Sequence, residues 1–70
     1  MAKHLEKNEV QLIGIGEVVR RTSLSRATIY RQVAEHTFPK PVRIGHRRIA
    51  FSSEAVQRWI EDKIRGHNDD

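Results

Sequence analysis

The chain contains no cysteine, one methionine, one tryptophan, one tyrosine and two phenylalanines in 70 residues. Without cysteine, neither a disulfide nor a thiolate metal site can form. No apolar run is long enough for a signal peptide or a membrane span, so an intracellular, cytoplasmic protein is expected. Seventy residues predict one domain, burying only about 60% of its unfolded surface and too small to enclose an enzyme cleft between two layers. The signatures of catalysis are missing too. No serine lies in G-x-S-x-G, and no acidic pair sits where so small a chain can bury it as a carboxylate dyad. His4, His36, His46 and His67 lack the spacing of HExxH or C2H2 metal sites. Gly14 and Gly16 begin a G-x-G-x-x-G, but its third position is Val19 and no long βαβ unit follows. No enzyme activity, metal, cofactor or small-molecule ligand is therefore expected.

Charge is present, and unevenly spread. Thirteen Lys plus Arg against nine Asp plus Glu is only a moderate excess. From Glu17 to Arg48, however, eight basic residues (Arg20, Arg21, Arg26, Arg31, Lys40, Arg43, Arg47, Arg48) face two acidic ones (Glu17, Glu35). From Ser52 to Asp70, three (Arg58, Lys63, Arg65) face five (Glu54, Glu61, Asp62, Asp69, Asp70). Such a distribution fits a small module with one side turned to a polyanion.

The stretch from Glu17 to Glu35 reads as two short helices joined by a tight turn. The first is expected from about Ile15 to Arg21, with Val18 and Val19 facing inward, Gly14 at the N-cap and the Glu17 carboxylate reaching back to the Gly14 N–H. Thr22-Ser23-Leu24 is expected to form the turn, and Ser25 to cap the second helix. At about 100° per residue, Ile29, Tyr30 and Val33 share one arc, expected to pack on the first helix and Leu24. Ala27, Thr28, Arg31 and Glu35 lie opposite, Gln32 at the margin, and Arg26 in the uncovered first turn. An exposed stripe of Arg, Gln and Thr is, on its own, what any solvated helix face shows. These types also suit base readout, since arginine pairs with guanine O6 and N7, glutamine with adenine, and alanine and threonine methyls with a thymine methyl.

After the second helix, Pro39 and Pro41 prevent helix continuation, and Phe38 between polar neighbours reads as a core plug. Val42-Arg43-Ile44 and Ile49-Ala50-Phe51 alternate around Gly45-His46-Arg47-Arg48, which predicts a β-hairpin with Gly45 at a positive φ. A four-residue loop pairs Ile44 with Ile49 and Val42 with Phe51; a two-residue loop pairs Val42 with Ile49. The tip carries His46, Arg47 and Arg48 in either case, suited to a phosphate or a narrow minor groove. Val10 to Ile13 is expected to be a short strand or an apolar anchor. Ser52 or Ser53 should cap a last helix whose stripe is Ala55, Val56, Trp59, Ile60 and Ile64, with Gly66 stopping it. His36 is placed to favour the C-terminal end of the second helix dipole.

Ile15-Gly16-Glu17-Val18, Leu24-Ser25-Arg26-Ala27-Thr28-Ile29-Tyr30-Arg31, Phe38-Pro39-Lys40-Pro41-Val42-Arg43-Ile44-Gly45 and Trp59-Ile60 together resemble the AlpA-like prophage regulatory proteins. Those are small winged helix-turn-helix proteins related to excisionases and to the DNA-binding domain of MerR regulators. The resemblance spans roughly Leu12 to Ile64 and implies a DNA-binding transcriptional regulator of a phage, prophage or integrative element. On the matching positions it implies groove reading by Ser25, Arg26, Ala27, Thr28 and Arg31, with wing contacts from Arg43, Arg47 and Arg48. Gly16, where the family often has a polar residue, and Phe51, where it often has tryptophan, depart from the pattern.

The fold class expected is mainly α with a small β-hairpin: a winged helix-turn-helix of three helices plus a wing. Residues 1–9 should form a flexible segment, 10–65 the DNA-binding domain and 66–70 a flexible acidic tail. The expected partner is double-stranded DNA, read by Ser25, Arg26, Ala27, Thr28, Arg31 and Gln32, with Arg43, His46, Arg47 and Arg48 on the wing. Cooperative self-association on DNA is expected, because a domain this size reads only a few base pairs. An excisionase-like architectural factor and a winged-helix protein adaptor are the alternatives.

Overall fold

The structure is a computed structural model that describes residues 10–67. The segment expected to be flexible at 1–9, and all but the first two residues of the tail expected at 66–70, lie outside the described residues. The elements run β1 (Leu12–Ile13), α1 (Ile15–Thr22), α2 (Arg26–Ala34), β2 (Val42–Gly45), β3 (Arg48–Ser52) and α3 (Ser53–His67). Three helices and a hairpin therefore form as expected, but the sheet has three strands, in the order β1-β3-β2. β1 pairs antiparallel with β3, Leu12 against Ser52 and Ile13 against Phe51.

Gly14 is the N-cap of α1, in extended backbone at φ −84° and ψ 173°, with no side-chain cap. The Glu17 carboxylate does not reach back to it. It turns along the helix instead, accepting from Arg20 at Nε (3.1 Å) and Nη2 (2.5 Å) and from Arg21 Nε (2.8 Å). Two guanidinium groups three and four residues on outcompete one neutral amide, because charge-assisted bonds are roughly twice as strong. α1 takes in Thr22, whose Oγ1 donates to the Val18 carbonyl (2.8 Å) and accepts from the Leu24 N–H (3.2 Å). The turn is consequently Ser23-Leu24-Ser25, with Ser23 in the left-handed region at φ 67°.

The core is Ile13, Val18, Ile29, Phe38, Phe51 and Val56, flanked by half-buried Ile15, Val19, Leu24, Val33, Trp59 and Ile60. Phe38 is the plug between elements, edge-on to Phe51 (6.0 Å) and to Trp59 (4.8 Å). Trp59 is half-buried, and its indole N–H donates to the Thr37 carbonyl (2.9 Å), tying α3 to the loop before β2. Ser52 is the cap of α3, its Oγ accepting from the Ala55 N–H (3.2 Å). Ser53 has another task. It is buried, its N–H donates to the Gln11 carbonyl (2.8 Å) and its Oγ accepts from the Gln11 N–H (2.8 Å), fastening the approach to β1 onto the start of α3.

Two expectations for α3 fail. Ile64 is 59% exposed, because it lies one turn beyond the last residue that reaches the core. Gly66 does not end the helix, which continues to His67. Glycine permits the left-handed residue that ends many helices but does not impose it, and its cost inside a helix is only about 1 kcal/mol. No helix among the described residues is long and apolar enough to cross a membrane.

Candidate nucleic-acid interface

α2 begins where expected. Ser25 stands in extended backbone at φ −75° and ψ 160°; its Oγ accepts from the Thr28 N–H (3.1 Å) and bonds to Thr28 Oγ1 (2.9 Å). The Arg26 and Ala27 amides of the first turn are left without an intrahelical acceptor, as at any helix start. Ile29 is fully buried and Val33 half-buried, but Tyr30, expected to pack inward, is 43% exposed. Thr28 and Gln32, expected to face a groove, are half-buried, and their side chains meet neighbours within the chain: Thr28 Oγ1 accepts from the cap, and Gln32 Oε1 lies 3.5 Å from Thr37 Oγ1. The outward arc of α2 is thus turned toward Tyr30. In order around the helix it reads Arg26, Tyr30, Ala34, Ala27, Arg31, Glu35, all exposed. The inward side holds only two apolar residues four apart, so a tyrosine at its edge reads as core when it is not.

α2 ends in a Schellman arrangement: the Thr37 N–H donates to the Gln32 carbonyl (2.9 Å) and the His36 N–H to the Val33 carbonyl (3.1 Å). His36 takes the left-handed position at φ 65°, where glycine is usual, so its place is set by this turn.

The hairpin follows neither register expected from sequence. Its loop is the two residues His46-Arg47, flanked by Gly45 opposite Arg48, yet Arg43 faces Ile49 and Val42 faces Ala50. Ile44 is the extra residue of a β-bulge, which shifts the register by one and sharpens the local twist. The positive φ falls on Arg47, at 68°, and on no glycine. Arg43, His46, Arg47 and Arg48 are all exposed. The hairpin thus carries Arg43 on β2 just before the bulge, His46 and Arg47 in the loop and Arg48 at the start of β3, and α2 presents Ser25, Arg26, Ala27 and Arg31 on its own outer surface. The two elements are connected through the core, α2 packing on α1 and β3 on both α1 and α3.

The arginines divide by location. Arg20 and Arg21 are bound to Glu17, Arg58 to Glu54 (2.9 Å) and Arg65 to Asp62 (2.9 Å). The first two hold the Glu17 carboxyl down to about 2, Arg20 contributing most through its hydrogen bonds. Arg31 approaches Glu35 only to 4.0 Å, with 62% of its side chain exposed. Arg26, Arg43, Arg47 and Arg48 form no ion pair among the described residues. No cluster of three or more His, Cys, Asp or Glu able to hold a metal occurs there either.

The family model described as prophage CP4-57 regulatory protein (AlpA) matches residues 11–64, well over half of the chain. An uncharacterized protein, ORF88 of Enterobacteria phage P4, is 30% identical over 56 residues, which are 80% of this chain. The chain spans 64% of the length of that relative. No solved structure matches.

Proposed function

The chain belongs to the AlpA family of prophage regulatory proteins, and on that footing we propose that it is a sequence-specific double-stranded DNA-binding regulator. It lays α2 in the major groove and its hairpin along the backbone or the adjacent minor groove. The observation that supports this reading is the division of the arginines. Those on α1 and α3 have carboxylate partners, whereas Arg26 on α2 and Arg43, Arg47 and Arg48 on the hairpin have none among the described residues. A duplex supplies the missing negative charge, and releasing its counterions supplies affinity. The unit that binds is the winged helix-turn-helix from residue 10 through α3, acting in the cytoplasm without catalysis or cofactor. Two or more copies occupy adjacent sites, since one such domain reads only a few base pairs.

The test is binding to random duplex DNA over a salt series. Log affinity should fall linearly with log salt, at about 0.9 per phosphate neutralised. An absence of binding at low salt overturns the reading in favour of a protein-docking role. Selection of bound sequences from a random pool then reports motif and copy number together through the repeat spacing.

A further inference from the structure

Tyr30 has no evident task in the fold. It is 43% exposed, lies outside the core cluster, and its hydroxyl enters no hydrogen bond among the described residues. Its position on the outward arc is specific. The middle of that arc is occupied by Ala27 and Ala34, with Tyr30 on one side and Arg31 on the other. Small side chains in the middle allow the helix axis to come close to an opposing surface, while the longer flanking ones reach past it on each side. Both flanking groups are hydrogen-bond donors, a phenol and a guanidinium. A concave surface with acceptors on both rims fits this profile, and a major groove bordered by two phosphate backbones is such a surface.

We infer that Tyr30 donates its phenol hydroxyl to a backbone phosphate on the side of α2 away from Arg31, while Ala27 and Ala34 let the helix settle between the two backbones. The inference rests on the DNA-binding reading and adds to it a neutral contact that the charge pattern does not reveal. A phosphate contact of this kind positions the helix and is indifferent to base sequence. It also displaces no more counterions than the same interface without it, because tyrosine carries no charge.

The experiment compares wild type, Tyr30→Phe and Arg31→Ala on random-sequence and on selected duplexes across a salt series, with thermal midpoints measured alongside. Tyr30→Phe keeps the ring and removes only the donor. It should leave the thermal midpoint unchanged and weaken binding roughly three- to tenfold, by the same factor on every duplex. Its salt slope should equal that of wild type, whereas Arg31→Ala should lower the slope by about 1. Wild-type affinity for Tyr30→Phe beside a weakened Arg31→Ala overturns this inference and leaves the DNA-binding reading standing. A loss confined to the selected sequence overturns the phosphate assignment in favour of a base contact. Failure of the wild type to bind any duplex removes both.

Discussion

α2 and α3 are both amphipathic helices started by a serine cap, and both carry charge on their outer faces. Their charges are handled in opposite ways. On α3 each cation is answered within its own surface: Arg58 by Glu54, Arg65 by Asp62, and Lys63 by the face of Trp59 at 5.4 Å. On α2 the first-turn arginine has no carboxylate among the described residues and the second reaches one only at 4.0 Å. The hairpin continues the pattern of α2. Exposed ion pairs add little to stability, usually below about 1 kcal/mol, so the difference says little about what holds the fold together. It concerns what each surface is free to meet. A self-neutralised face gains little from a polyanion, because its own pairs must first be broken.

The largest expected effect breaks the comparison most directly. Arg47→Ala/Arg48→Ala should weaken duplex binding roughly tenfold to a hundredfold near physiological salt and reduce the salt slope by about 2. Arg58→Ala/Arg65→Ala removes the same formal charge from α3 and should change neither. Fluorescence anisotropy over a salt series measures both variants. Equal losses from the two would mean that affinity follows net charge alone and that the division of the arginines carries no meaning.

The two serine caps give the next effect. Ser25→Ala and Ser52→Ala should each cost about 1 kcal/mol of stability, read from urea unfolding, because each leaves a first-turn N–H without its acceptor. Only Ser25→Ala should also weaken DNA binding in conditions where both variants are fully folded, since it loosens the start of the helix proposed to enter the groove. A matching loss of affinity in Ser52→Ala would remove the distinction between the two helices.

Much of this arrangement was legible in the sequence, and what escaped it has common causes. Ser25 as a cap, Phe38 as a plug and Val56 as core were readable because each depends on nearby residues: a hydroxyl before a helical pattern, an aromatic among polar neighbours, an apolar stripe. A short strand within Val10 to Ile13 was one of two readings; its pairing was not legible, because β1 is two residues long and its partner β3 lies about forty residues on. The bulge at Ile44 could not be read from alternation, since one extra residue changes the register without disturbing the composition. Three left-handed residues, Ser23, His36 and Arg47, escaped for one reason: the expectation was placed on glycines, and none of the chain's glycines adopts a positive φ. On the candidate interface, the outward direction of Arg26, Ala27 and Arg31 was readable from the helical period. That of Tyr30 depended on a rotation that two inward-facing apolar residues define only loosely.

Left-handed arginine and left-handed histidine supply a finer test of the same division. A non-glycine residue at such a φ costs roughly 1 kcal/mol, and glycine removes that cost. Arg47→Gly and His36→Gly should therefore each stabilise the domain, by about 0.5–1 kcal/mol in urea unfolding. Arg47→Gly should at the same time weaken duplex binding several-fold, while His36→Gly leaves it unaltered. Stability gained together with affinity lost is what a strained residue kept for its guanidinium would show. Unchanged affinity in Arg47→Gly would make the hairpin tip a solvated turn and nothing more.

The smallest effect tests the neutralised side of the comparison through pH. Glu17 has its carboxyl held at about 2, against 4.5 for an ordinary glutamate, first by hydrogen bonds from Arg20 and then by those from Arg21. A carboxylate whose folded value lies below its unfolded value contributes stability that is complete above about 4.5. That contribution declines as pH falls through the window between the two values and is gone once the folded group is protonated, near 2. The pair is solvent-exposed, so salt should shrink the effect. Thermal midpoints of wild type and Glu17→Gln should differ in favour of wild type at neutral pH, converge between pH 4.5 and 2, and lie closer together throughout in high salt. Glu17→Gln also releases two arginines on α1. If ion pairing is what withholds a cation from DNA, the variant should bind random duplex slightly more tightly than wild type, with a steeper salt slope. An unchanged slope would show that α1 faces away from the duplex, leaving position alone, and not pairing, to separate the two groups of arginines.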